Sequence, residues 1–272
     1  MHGTVTRKTL LKGTWSTFKA RVSNRLARHF CSEPLLLSGK EPMVSFTFDD
    51  VPLSAATIGA PMLEDFDARG TFYVSGSLVH RHSGQWDGID ADSIVALHRR
   101  GHEIACHTFS HQPDSELVAT TMATEIARNR QYFRELDPSI RLENFAYPYG
   151  FASVSLKGQL KIAFRSSRGI LPGVNRGRVD LQFLRATPLI NRHIDDDGID
   201  RVLDQTLSTG GWLIFYGHDV ADRPSPYGCT PALLRHALEA ARRRDIPLVS
   251  VAEALNRAGA RARALARIGG KH

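Results

Sequence analysis

The stretch Ser45-Phe46-Thr47-Phe48-Asp49-Asp50 decides how the rest of this 272-residue chain is read. Val44, Phe46 and Phe48 alternate with small residues, the period-two pattern of a half-buried or buried strand. The run ends on adjacent carboxylates, so it delivers two negative charges to one end of a sheet. Side chains alternate in direction along a strand, and the two carboxylates are therefore expected to diverge and take different tasks. Neighbouring like charges repel, and a cation or strong donors nearby would offset that cost. Taken alone, Asp49-Asp50 also suits a helix start, because a helical pattern begins near Ser54.

Candidate partners follow in Gly101-His102-Glu103-Ile104-Ala105-Cys106-His107-Thr108-Phe109-Ser110-His111. Glu103 to Cys106 reads as a short strand, with His107 at its end and His111 in the following turn. Two imidazoles four residues apart converge on one ion if the segment turns helically after His107. With Asp50 they supply a His/His/Asp set, whose three ligands leave positions open for water, as catalytic metal sites do. The HExxH pattern of a zinc protease helix fails, because the position that would hold its second histidine is Cys106. Apart from His218, the remaining histidines have no comparable surroundings and read as surface or structural.

Two further motifs lie downstream. Asn144-Phe145-Ala146-Tyr147-Pro148-Tyr149-Gly150 reads as a strand closing on a Pro-containing turn, where backbone N–H groups can face a ligand. Without the other motifs it is an ordinary tight turn. Gly211-Trp212-Leu213-Ile214-Phe215-Tyr216-Gly217-His218-Asp219 is an apolar strand ending on a histidine. Four apolar runs that each end in polar or turn residues are what a site at the carboxyl face of a parallel barrel requires.

With these residues in place, the chain resembles the polysaccharide deacetylase family, the NodB-homology enzymes of carbohydrate esterase family 4. The resemblance runs from about Met43 to Leu255. It rests on Thr47-Phe48-Asp49-Asp50, His107-Thr108-Phe109-Ser110-His111, Tyr147-Pro148-Tyr149-Gly150 and the strand ending at His218, in the family's order. It implies a distorted, incomplete (β/α) barrel of about seven parallel strands. It also implies Asp50, His107 and His111 as metal ligands, with Zn2+ first and Co2+, Ni2+ or Mn2+ as alternatives. Asp49 would be the general base, the backbone N–H of Tyr149 an oxyanion donor, and His218 the general acid. Tyr147, Pro148 and Tyr216 fall in the same motifs and are expected on the substrate side. The implied reaction is removal of acetyl groups from N-acetylated sugars of an oligo- or polysaccharide or a lipid-linked glycan, and an O-acetyl ester fits the same chemistry. The competing readings are a C–N hydrolase of this fold acting on a non-sugar amide, and a barrel that binds a glycan or partner without turnover.

The chain departs from the family pattern in two places. The arginine usually found two residues before the motif proline, which orients the base, is replaced by Ala146. Arg165, Arg168 and Arg185 are the candidates to supply that charge. The aspartate that tunes the acid histidine has no clean match; Asp180 ranks first, ahead of Asp195, Asp196 and Asp197.

Composition is that of a globular protein, 42% hydrophobic and 23% charged, and suits one domain with a large core. No segment approaches the roughly 20 uninterrupted apolar residues of a membrane span. No signal peptide is expected, since basic residues interrupt every apolar run near the N-terminus. Cys31, Cys106 and Cys229 form no CxxC pair and fit a reducing compartment. These features point to the cytoplasm, with attachment to the inner membrane face as a further expectation.

The net charge of +7 is unevenly spread. Residues 1–30 carry Arg7, Lys8, Lys12, Lys19, Arg21, Arg25 and Arg28 without an acid. Residues 256–272 carry Arg257, Arg261, Arg263, Arg267 and Lys271, again without one, so everything between is net acidic. Leu11, Trp15, Phe18, Val22 and Leu26 recur at helical spacing. Such a basic amphipathic helix either packs under the barrel or lies on an anionic membrane. The acidic body argues against nucleic acid as a partner. The chain thus divides into a basic N-terminal segment (1–41), a catalytic domain (42–256) and a basic tail (257–272). Within the domain, strands are expected at Val44–Asp49, Gly70–Ser75, Glu103–His107, Asn144–Tyr147, Phe183–Leu189, Trp212–Gly217 and Pro247–Val251. Helices are expected at Ala55–Ala68, Asp92–Arg99, Ser115–Leu136, Ser153–Ala163, Ile199–Leu207 and Pro231–Arg243. Strand–helix alternation of this kind argues for a parallel α/β architecture.

Overall fold

The structure is a computed structural model that describes residues 25–37, 41–112 and 119–259. Most of the expected basic N-terminal helix and of the basic tail lies outside these residues. Nine strands are described: β1 (Pro34–Leu37), β2 (Met43–Asp49), β3 (Thr71–Val74), β4 (Glu103–Cys106), β5 (Asn144–Ala146), β6 (Ser166–Arg168), β7 (Gly177–Asp180), β8 (Thr187–Pro188) and β9 (Trp212–Gly217). Seven of them form one sheet in the order β6-β5-β4-β3-β2-β9-β8, with every pairing parallel. This is the α/β incomplete barrel that the sequence implied. Strands β1 and β7 form a separate antiparallel ribbon.

All seven residues of β2 are buried, as expected for a parallel strand covered on both faces. Phe48 stacks on Phe72 at 5.1 Å and Phe46 packs on Phe215 at 5.4 Å, tying β2 to its two neighbours. Helices Ala91–Arg99, Ala119–Leu136, Val154–Ala163, Asp196–Thr209 and Pro231–Arg243 cover the sheet. Several begin on side-chain caps suited to their first turn: Asp90, Ser153, Asp195 and Thr230 each accept an N–H three residues on.

The expected elements shift in three places. The helix foreseen at Ala55–Ala68 ends at Glu64, after which Asp67 turns left-handed. Pro247–Val251 forms only one bridge, Leu248 to Val44; Ser250 then accepts the N–H groups of Glu253 and Ala254 and starts a helix over 251–259. Phe183–Leu189 contributes only Thr187–Pro188 as strand. Strand β6 reads Ser-Ser-Arg, with no apolar alternation to reveal it, although all three residues are buried.

Parallel strands place their carboxyl ends on one side. Asp49 ends β2 and Asp50 follows it, His107 follows β4, Tyr147 follows β5, Arg168 ends β6 and His218 follows β9.

Candidate metal centre and active site

At the end of β2 the backbone leaves the extended region abruptly. Asp50 and Val51 have φ of 56° and 46°, and Thr108, His111 and Tyr149 in the facing loops are left-handed too. For non-glycine residues, and above all a β-branched one, such angles are uncommon and gather where a site over-determines the backbone. The turn separates the two carboxylates as alternation foretold, with Asp49 facing a buried arginine and Asp50 facing the histidines.

His107 and His111 converge without the helical turn that their spacing suggested. Residues 107–111 form a loop in which Thr108 Oγ1 accepts the His111 N–H. Glu125, on the helix behind, accepts the N–H groups of Phe109 and Ser110 and the Ser110 hydroxyl. The Ser75 hydroxyl donates to the carbonyl of His107 at 2.6 Å. Nothing in the sequence marked Glu125 or Ser75, since single polar residues on buried faces carry no pattern.

The His107 Nδ1 lies 2.9 Å from the Ala146 carbonyl and donates to it, which leaves the Nε2 lone pair facing the site. His107 Nε2 stands 3.6 Å and His111 Nε2 3.1 Å from Asp50 Oδ1. The three donor atoms lie within 4.8 Å of one another. Burial pushes the pKa of His107 down to about 3 and that of His111 down to about 4, so both are neutral ligands near pH 7. Burial pushes Asp50 up to about 6, and its buried Oδ1 has no hydrogen-bond partner. Two imidazoles, one with its lone pair turned inward, converge with an orphaned carboxylate oxygen, an arrangement that a bound cation would stabilise. The donor set therefore fits a divalent metal.

Arg168, fully buried, pairs through Nη2 with Asp49. Its guanidinium carbon lies 4.9 Å from the Tyr73 ring and 5.3 Å from the Tyr216 ring, so it is held between two aromatic residues. Burial alone would raise the Asp49 pKa; the charge and hydrogen bond of Arg168 outweigh it and hold the carboxyl below the usual range. Arg168 thus supplies the charge missing at Ala146. Arg165 instead binds Glu143 and Asn256, and Arg185 binds the Pro172 carbonyl.

His218 closes the other side, with Nε2 3.9 Å from Asp50 Oδ2 and Nδ1 3.3 Å from the Tyr227 carbonyl. Asp180 does not reach it. Its carboxylate pairs with buried Lys157 and accepts the N–H groups of Ser32, Glu33 and Gln182, so it is a structural anchor rather than a tuner of the acid. Pro148 is buried within its turn and does not line the cleft; Tyr147 lines it, but its hydroxyl donates to the Gln182 carbonyl. Tyr216 lines it while flanking Arg168, and left-handed Tyr149 places its ring 4.7 Å from that of His111. The cleft, about 740 Å³, extends past Trp86 and Tyr227, whose rings lie 5.7 Å and 5.6 Å from that of His218.

Fold and donor set together give a parallel half-barrel with a carboxylate–imidazole set able to hold a metal at its carboxyl face. Residues 37–163 match the family model described as "Polysaccharide deacetylase". The chain is 25% identical over 108 residues to a chitin deacetylase of Colletotrichum lindemuthianum, covering 38% of this chain and 41% of that protein. It is 26% identical over 86 residues to a bifunctional xylanase/deacetylase of Pseudobutyrivibrio xylanivorans, covering 32% of this chain and 13% of that protein. The matched region thus spans less than half the length of either relative. The solved chitin deacetylase superposes with a TM-score of 0.59 at 18% identity, over 80% of this chain and 89% of that one. Peptidoglycan deacetylase PdaC from Bacillus subtilis gives 0.58 at 17% identity, over 87% and 100%. Over residues 37–163, just under half of its length, the chain carries the sequence pattern of the polysaccharide deacetylase family.

Proposed function

We propose that this protein is a metal-dependent deacetylase that hydrolyses the acetamide of an N-acetylated sugar in an oligosaccharide, polysaccharide or lipid-linked glycan. One observation carries the reading: a carboxylate fixed by a buried guanidinium stands beside a convergent Asp/His/His set, with a histidine across the gap. Asp50, His107 and His111 would hold a divalent cation, which when bound would supply Lewis acidity to the attacking water and the amide carbonyl. Asp49, kept ionised by Arg168, accepts the proton of that water as it attacks. The Tyr149 N–H donates to the oxygen on which negative charge develops. His218 then gives a proton to the departing amine nitrogen, yielding acetate and an amino sugar.

Among metals we place Zn2+ first, on the nitrogen-rich donor set, with Co2+, Ni2+ and Mn2+ as alternatives. We place the protein in the cytoplasm, a reading supported by three unpaired cysteines, and propose that the basic residues of 1–30 draw it to an anionic inner membrane face. Acetate release from N-acetylglucosamine oligomers and O-acetyl sugars tests the central reading, using metal-stripped, metal-restored and Asp49→Asn protein. Metal-restored release that Asp49→Asn abolishes is expected. A chain that binds no metal would sink it.

A further inference from the structure

The cleft holds two cations that the chemistry above leaves unused. Arg81 and Arg192 both line it, and among the described residues the carboxylates lining it are Asp49, neutralised by Arg168, and Asp50. Some arginines elsewhere on the barrel are neutralised by acidic partners: Arg99 by Asp137, Arg100 by Glu64, Arg165 by Glu143, Arg257 by Glu253. Among the described residues, neither Arg81 nor Arg192 has one. Asp87, the acid on the loop that carries Arg81, is taken by His82 at 2.7 Å.

Arg192 is held in place. Its guanidinium carbon lies 4.9 Å from the Tyr227 ring, and its Nε donates to His193 Nε2 at 3.1 Å. Those contacts leave the two terminal nitrogens as a planar fork, the geometry that binds a carboxylate or phosphate through two hydrogen bonds. Its place is equally defined. Tyr227 contacts both Arg192 and His218, and Trp86 packs edge-on against the same tyrosine at 6.5 Å. The fork thus sits one aromatic ring beyond the group that protonates the leaving nitrogen. Cations in a concave, low-dielectric cleft focus positive potential along it.

We infer that the glycan acted on carries an anionic group, phosphate or carboxylate, on the sugar residue beside the acetylated one, and that Arg192, assisted by Arg81, receives it. This inference rests on the deacetylase reading for the identity of the neighbouring sugar.

The test is a matched set of N-acetylglucosamine oligomers that are neutral, phosphorylated or carboxylate-substituted. Calorimetric binding to the Asp49→Asn protein is measured alongside acetate release by the metal-restored wild type. At least one anionic oligomer is expected to bind, and to be turned over as kcat/KM, about tenfold better than the neutral one, as one charge-assisted fork would give. That advantage shrinks as salt is raised. Arg192→Gln is expected to cut the anionic-to-neutral ratio about tenfold, and Arg81→Gln by less. Whether phosphate or carboxylate gains more identifies the anion. Equal acetate release from neutral and anionic oligomers overturns this inference and leaves the deacetylase reading standing. Tight, Arg192-dependent anion binding with no acetate released from any oligomer does the reverse.

Discussion

Ala146 and Arg168 are register partners on adjacent parallel strands, and the guanidinium of Arg168 pairs with Asp49. Register partners on parallel strands point to the same side, so a guanidinium can move one strand over and still reach the base. Ala146, buried with Tyr73 and Ala105, leaves room for that move. Arg168→Ala is expected to lower kcat about 10²-fold, the scale of a general base's contribution. It should also cost about 3–5 kcal/mol of stability, because Asp49 is left buried without its partner. The double variant Ala146→Arg/Arg168→Ala should recover part of both losses. Steady-state kinetics and urea unfolding read the two effects separately; a double variant no better than the single would show that the two positions are not equivalent.

Metal bound by Asp50, His107 and His111 would be a stability effect as well as a catalytic one. A cation that binds only the folded chain stabilises it by about 2.7 kcal/mol when present at a hundredfold excess over its Kd. Metal-stripped protein should therefore melt several degrees lower and regain its Tm on zinc addition. Asp50→Asn or His111→Ala should abolish the gain, while Arg81→Gln should keep it. A Tm indifferent to metal in the wild type would count against the centre.

How far the site was legible in the sequence follows from what sets each residue's place. Asp49, Asp50, His107 and His218 sit at the ends of strands whose apolar pattern is plain, and the motif order brings them to one face. The approach of His111 to His107 was legible but its cause was not: the loop is pinned by Glu125, a helix residue 14 positions further on. Arg168 could not be selected, because β6 is a polar tripeptide whose burial comes from its neighbours rather than its composition. Asp180 was misjudged for a similar reason. Its partner, Lys157, lies on a helix whose pattern gives no sign that a lysine there would be fully buried.

The anchor at Asp180 has its own consequence. Lys157 Nζ donates to the carbonyls of Ala27 and Phe30 and pairs with Asp180, fastening the chain around residues 25–30 to the barrel. Asp180→Asn leaves a buried ammonium without its counter-charge and should cost about 3–5 kcal/mol in urea unfolding. Because Asp180 does not touch His218, kcat measured well below the melting temperature should stay within about twofold of wild type. A large fall in kcat at unchanged stability would restore Asp180 to the active site.

His102 is a buried histidine outside the metal centre, and it gives the fold an acid-sensitive joint. Its Nδ1 accepts the Gly70 N–H at 3.0 Å, so its Nε2 carries the proton and donates to Glu64 at 2.8 Å. Burial lowers its pKa from the ordinary 6.5, although Glu64 pulls the other way. An imidazole that protonates more readily unfolded than folded contributes stability in full above about 6.5. That contribution is lost as pH falls through 6.5 toward the lower folded value. His102→Gln should thus be less stable than wild type at pH 7, with the difference narrowing on acidification. Urea midpoints across that range check the sign; a gap that widens toward low pH would mean that the Glu64 ion pair, and not burial, governs this histidine.

Gly88 controls the loop that carries Arg81 and Trp86 to the cleft. A Cβ at this position would lie 2.5 Å from the Leu78 carbonyl oxygen and 2.8 Å from that of Arg81, both backbone atoms that cannot swing aside. The Gly88 N–H also donates to the Arg81 carbonyl at 2.7 Å, so the close approach is part of the loop's own bonding. Gly88→Ala must push residues 78–81 away from 88 and is expected to cost about 1–3 kcal/mol. Displacing Trp86 from His218 should raise KM for glycan oligomers several-fold, with a smaller effect on kcat because Asp49, Arg168 and the ligand histidines sit on other elements. Tm and initial-rate kinetics on the same preparation separate the two effects. An unchanged KM beside a lowered Tm would show that the loop supports the fold without touching the substrate.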